Sequence, residues 1–323
     1  MNILRRKSVA DLQAEALTDN SLHRVLGPWH LVLLGIGCTI GGGVFVLTGL
    51  VAAKNAGPSV TLCYILSGIV SVFAAFCYSE FASLVPMSGS AYTYSYATLG
   101  EIFAWIIGWD LILEYAVGAV TVAISWSRYV VSFLHDLTLW FDHHHIAINL
   151  DLPPVLTAAR GTPVTLADGS IMLGPDGQQV MGMFNLPAVI IVLVVTSLIV
   201  VGIRQSSLYN NIIVFVKIGV ILLFVATAAF AINPANWHPF IPPNTSGKFG
   251  EFGWSGLMQG SGTLFFAYIG FDAVSTTAQE SRNPQRDLPI GIIGSLIVCT
   301  ILYIAVSVVA TGVVPYTDLG GAA

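Results

Sequence analysis

The chain has 323 residues, 55% of them hydrophobic and only 9% charged, and a mean hydropathy of +0.80. A soluble domain carries about 25% charged residues, so this chain has too little polar surface for water and must use lipid as solvent for much of its length. The net charge of −5 argues against nucleic acid as a partner, because neutralising phosphates requires clustered Lys and Arg.

The first 30 residues are polar and contain the one basic cluster, Arg5, Arg6 and Lys7, beside the first apolar run. Such a cluster sets topology. No small-residue cleavage site follows that run, so a cleavable signal peptide is not predicted. A membrane-spanning helix needs about 20 apolar residues. Seven candidates fit, at roughly 31–53, 59–83, 100–134, 186–203, 209–232, 254–278 and 289–314. They are too long, and too continuously apolar, for the alternating strands of a membrane barrel. The fold class is therefore an all-α polytopic membrane protein.

The first span runs Leu33-Leu34-Gly35-Ile36-Gly37-Cys38-Thr39-Ile40-Gly41-Gly42-Gly43-Val44-Phe45. Each of its three consecutive glycines costs a helix about 1 kcal/mol relative to Ala. Irregular backbone at this depth is tolerated only where it faces protein or a water-filled cavity. An unwound stretch exposes N–H groups on one half-helix, which attract a carboxylate, and C=O groups on the other, which attract an ammonium. An amino acid carries both groups one carbon apart. The alternative is close helix packing through Gly37 and Gly41, a GxxxG pair, which leaves Gly42 and Gly43 unexplained.

After the second span, Pro86-Met87-Ser88-Gly89-Ser90-Ala91-Tyr92-Thr93-Tyr94-Ser95-Tyr96 is uncharged, with tyrosines two apart. On a helix these would scatter, so an interfacial or re-entrant segment is expected, with tyrosines at headgroup level. The third span exceeds the bilayer and should tilt or project. Its Asp110 and Glu114 are four apart and share a face. Glu114, the deeper, either faces a cationic substrate side chain or pairs with another helix. Segment 135–185 carries the turn signals Pro153-Pro154, Asp168-Gly169 and Pro175-Asp176-Gly177 and reads as an external loop. His143, His144 and His145 within it are either a metal site or, since consecutive residues rarely converge on one ion, solvated loop.

In the fifth span, Lys217 sits amid Ile212-Ile213-Val214-Phe215-Val216 and Ile218-Gly219-Val220. A central charge costs about 2.5–3.5 kcal/mol. Desolvation weakens a lysine's hold on its proton, which suits a reversible proton carrier. The other reading is a static tie to a carbonyl or carboxylate. The sixth span, Gly260-Ser261-Gly262-Thr263-Leu264-Phe265-Phe266-Ala267-Tyr268-Ile269-Gly270-Phe271-Asp272, is also glycine-diluted and contains an acid. Interrupted first and sixth helices are what a five-plus-five inverted repeat predicts, with the substrate site at the bilayer midplane between them. Glu80, Asp272 and Glu280, nearer the cytoplasmic ends, suit helix-end hydrogen bonding. Cys38, Cys63, Cys77 and Cys299 lie in apolar runs and read as small buried hydrophobes.

Basic residues orient the chain. With the N-terminus cytoplasmic, the inside segments hold Arg5, Arg6, Lys7, Arg24, Arg204, Arg282 and Arg286, and the outside loops Lys54, Arg160 and Lys248. That asymmetry favours the N-terminus inside and puts the end after seven spans, 315–323, outside.

Several motifs resemble a known family. Thr39-Ile40-Gly41-Gly42-Gly43-Val44-Phe45 is similar to the glycine-rich first-helix motif of the amino acid–polyamine–organocation superfamily. Ser88–Tyr96, Gly108–Tyr115, Phe265–Asp272 and Gln279–Pro289 resemble its cationic amino acid transporter branch. The resemblance implies a LeuT-type fold of ten core helices, with the substrate's carboxylate and amine held at Thr39, Ile40, Gly41, Gly42, Gly43, Phe266, Ala267 and Ile269. It also implies that Lys217 stands where sodium-driven relatives bind an ion and that Glu114 lies near the substrate side chain. The expected activity is secondary transport of cationic or small neutral amino acids in the cell membrane, proton-coupled or by exchange, with no cofactor. Only two helices of the second repeat are present, so a piece of a longer protein is expected. A membrane enzyme would need a base inside the spans, whereas His23, His30, His135, His143, His144, His145 and His238 lie in termini, loops or helix ends. A seven-helix receptor would have the opposite orientation.

Overall fold

The computed structural model describes residues 6–18, 24–164, 170–201 and 203–322. Arg5, His23, the Asp168-Gly169 turn and Ala323 lie outside the described residues. Among the described residues there are ten α-helices: α1 (Val9–Thr18), α2 (Pro28–Thr39), α3 (Gly43–Val51), α4 (Val60–Leu84), α5 (Ser90–Thr98), α6 (Glu101–His143), α7 (Leu186–Val201), α8 (Ile203–Ala228), α9 (Gly253–Phe265) and α10 (Pro284–Val313). Extended pairing among the described residues amounts to three isolated bridges.

Among the described residues, four helical runs are long and apolar enough to cross a membrane: 43–84, 101–143, 209–231 and 284–313. The first includes a π turn at Ala52–Ala56 and a 3-10 turn at Gly57–Ser59. Gly57 there has φ 60°, and any side chain on it would collide with Pro242, so α3 and α4 are separate rods. The predicted first span is divided into α2 and α3. The predicted sixth ends as an α-helix at Phe265 and continues in 3-10 turns.

Several element boundaries differ from expectation. The third helix runs to His143, nine residues past its predicted end at 134. No Gly or Pro occurs between Gly118 and Pro153 to stop it, and at about 1.5 Å per residue it is far longer than a bilayer core of about 30 Å. The seventh begins at Pro284 rather than 289, with Pro at the first helical position and Asn283 N donating to Asp287 Oδ2 at 3.2 Å. The tyrosine segment forms helix α5. Its tyrosines do not scatter idly: Tyr92 and Tyr96, four apart, pair with ring centroids 6.3 Å apart, while Tyr94 stacks on Phe81 of α4 at 5.3 Å.

The described residues form two compact units, one of residues up to Ile112 with Ser207–Gly321, the other Leu113–Ser206. In the first, α10 packs on α4 and α2, and α4 on α9. The contacts use small residues, as helix packing in lipid requires. Gly291 meets Leu31, Gly35 meets Ser295, and Ser67 Oγ donates to Ser261 O at 2.6 Å. The centre is three fully buried tyrosines, Tyr64, Tyr268 and Tyr303. In the second unit the described residues between His143 and α7 hydrogen-bond to one another and to α6. Leu150 N donates to Thr138 Oγ1 at 3.0 Å, His135 pairs with Asp151 at 3.2 Å, and Val164 N donates to Val180 O at 2.9 Å. Asn185 Oδ1 accepts from Ala188 N and Ser127 Oγ, starting α7.

Candidate functional site

The first break is short. α2 ends at Thr39, Ile40 is extended (φ −77°, ψ 100°), and α3 starts after Gly42. The last carbonyls of α2 and the first N–H groups of α3 have no intrahelical partners. Gly42 has no side chain with which to cap the latter, so α3 presents bare donors at the positive end of its dipole. A Cβ added at Gly41 or Gly42 would meet nothing within 4 Å, and at Gly43 only the flexible Leu47 at 3.2 Å. Gly37 differs: a Cβ there would meet Asn210 Oδ1 and Val214, each at 2.8 Å. Close packing therefore accounts for Gly37 but leaves Gly41, Gly42 and Gly43 to another cause.

The second break is the continuation of α9. Phe266–Tyr268 form a 3-10 turn, Ile269 is extended (φ −56°, ψ 134°), and Asp272–Glu280 resume as 3-10 turns. Gly270 has φ 120°, and a Cβ on it would lie 2.7 Å from the Cys38 carbonyl oxygen and 3.1 Å from Thr39 N. The backbone of the second break thus rests directly on the end of α2. Here only glycine satisfies both the left-handed backbone and the close approach.

Two side chains converge on that end. Lys217 Nζ, from α8, donates to Gly37 O at 3.1 Å and Ile40 O at 2.9 Å. Tyr303 Oη, from α10, lies 3.0 Å from Thr39 O and 2.8 Å from Ala267 O. Thr39 Oγ1 is buried with no hydrogen-bond partner of normal geometry. Of the residues singled out from sequence, Thr39, Ile40, Ala267 and Lys217 are brought to one place. Phe266 turns its side chain outward, 68% exposed, into a groove of about 330 Å3 shared with Phe249, Met258, Gln259, Gly262 and Thr263. Glu114 belongs to the second unit, on the exposed surface of α6. Among the described residues, no group of three or more His, Cys, Asp or Glu side chains converges as metal ligands would. Glu280 hydrogen-bonds at a helix end through its backbone: its carbonyl accepts from Leu26 N at 3.0 Å, and Arg282 N donates to Leu26 O at 2.9 Å. Tyr303 is the functional candidate that the sequence reading missed, since nothing in its apolar surroundings marks it.

The sequence profile described as amino acid permease matches residues 26–321. The chain belongs to the amino acid permease family. Its resemblance to the amino acid–polyamine–organocation superfamily, first read from the motifs, is thereby placed on nearly the whole sequence. This permease chain is similar to the branched-chain amino acid permease BcaP of Bacillus subtilis, 46% identical over 99% of the chain and 61% of that protein. It is also similar to the methylthioribose transporter of the same organism, 44% identical over 98% of the chain and 61% of the relative. The chloroplastic cationic amino acid transporter 9 of Arabidopsis thaliana is 38% identical over 98% of the chain and 51% of its own length. The permease chain thus spans half to three fifths of the length of these relatives. They are transporters, and with its apolar helices the chain is an integral, multi-pass membrane protein.

Proposed function

We propose that the full-length protein is a secondary active transporter of amino acids, cationic or small neutral, coupled to protons and built as a LeuT-type inverted repeat. The observation that carries this reading is the meeting of the two breaks, with bare N–H donors at the start of α3 and the carbonyl end of α2 under Gly270. Donors suit a carboxylate and acceptors an ammonium, so Thr39, Ile40, Gly41, Gly42 and Gly43 from one break and Phe266, Ala267 and Ile269 from the other form the substrate cradle. Lys217 is the proton-coupling residue. Methylthioribose, named for one relative, has neither a carboxylate nor an ammonium and would leave both sets of groups unused. Gly43→Leu in the full-length protein is the test. The first side-chain atom would meet only the flexible Leu47, at 3.2 Å, so membrane insertion is retained while amino acid binding is lost. Retained binding, or preferential binding of methylthioribose by the unmodified protein, would sink the reading.

A further inference from the structure

We propose that Tyr303 is a positioning residue for the substrate ammonium: its hydroxyl holds the backbone carbonyls of Thr39 and Ala267, one from each break, at the spacing that group requires. The inference rests on the two breaks being the substrate site.

Tyr303 is 1% exposed. Its ring is wedged between Tyr64 and Tyr268, at centroid distances of 5.2 and 5.3 Å. Tyr268 is itself fixed, since its hydroxyl donates to Tyr64 O at 2.9 Å. The Tyr303 hydroxyl therefore has little freedom to swing. It has one proton and two acceptors, Thr39 O at 3.0 Å and Ala267 O at 2.8 Å. Both carbonyls stand where a helix ends or tightens, so regular helical N–H partners do not serve them. Two carbonyl oxygens turned toward one point repel each other unless a donor sits between them, and burial makes an unserved carbonyl costly.

Lys217 cannot substitute for this contact. Its hydrogen bonds reach Gly37 and Ile40, both on the first break, whereas Tyr303 spans both breaks. Each carbonyl oxygen has two lone pairs. The hydroxyl occupies one direction on each and leaves the other for an incoming ammonium. Remove the hydroxyl, and the carbonyls lose the donor that aims them together. A merely structural tyrosine would contribute to folding without affecting how the amine is bound.

Full-length protein in liposomes separates these roles. Tyr303→Phe keeps the ring packing and removes only the donor. For amino acid uptake we expect KM to rise about tenfold, the scale of one net hydrogen bond, with the maximal rate per inserted protein within twofold of the unmodified protein. KM unchanged, or a fall confined to the amount of inserted protein, overturns the proposal. Should Tyr303→Phe fail to fold, 3-fluorotyrosine incorporated at position 303 keeps the hydroxyl. Its fluorine resonance then shifts on adding saturating amino acid and stays put with the matching hydroxy acid, which lacks the amine. A resonance that ignores the amino acid overturns the proposal as well. Failure of the unmodified protein to bind any amino acid would instead remove the substrate-site reading on which this one stands.

Discussion

Lys217 places its ammonium 3.1 Å from Gly37 O and 2.9 Å from Ile40 O, the geometry of a cation at the negative end of a helix dipole. This favours the carbonyl tie over a carboxylate tie, yet such a tie is compatible with two roles. If the lysine is only a brace, removing it leaves two carbonyls short of a donor, a cost of about 1–3 kcal/mol, and transport keeps its response to protons. If it is the coupling residue, its proton is what the contact depends on. Deprotonation removes the charge from the end of α2 and frees α8 to move. We expect Lys217→Ala, in the full-length protein in liposomes, to abolish the dependence of amino acid uptake on an imposed pH gradient. Proton-driven accumulation against a gradient by the variant would assign the residue to bracing.

At the scale of elements, the glycines divide by what surrounds them. Gly270 has φ 120° and faces backbone atoms of Cys38 and Thr39 that cannot rotate away. Gly41 has open space around it. Gly270→Ala should therefore cost roughly 1–3 kcal/mol of backbone strain, together with displacement of the α2 end, seen as a lower melting temperature and a smaller folded fraction in detergent. Gly41→Ala should leave both measurements unchanged. Equal losses for the two would mean that Gly270 is not the contact between the breaks. Helix ends were less legible than helix centres. The third apolar run ends near 134 in hydropathy, but the helix goes on to His143 because backbone hydrogen bonding stops only at a breaker or a cap.

For the whole molecule, orientation follows from charge. Seven basic residues fall on the proposed inner side and three on the outer, and short-loop Lys and Arg are retained in the cytoplasm. A reporter active only in the cytoplasm should work when fused before residue 30 and be silent when inserted within 144–185. The reverse pattern would invert the topology and, with it, the side from which the cradle is reached.

Hydropathy and glycine content alone pointed to a helical membrane protein with interrupted first and sixth spans, and the family resemblance supplied the backbone positions Phe266, Ala267 and Ile269 at the second interruption. These are local properties: apolar length decides what crosses lipid, and consecutive glycines or an extended residue weaken a helix wherever they stand. Only the tertiary structure decided which ends meet. Gly37 packs on α8 while Gly41 and Gly42 do not, Gly270 rests on Cys38, and Lys217 and Tyr303 arrive from α8 and α10 at carbonyls far away in sequence. A buried tyrosine in an apolar helix looks like any other core aromatic in sequence. Its partners are backbone oxygens, which every residue carries, so residue types alone cannot single it out until the fold brings those oxygens to it.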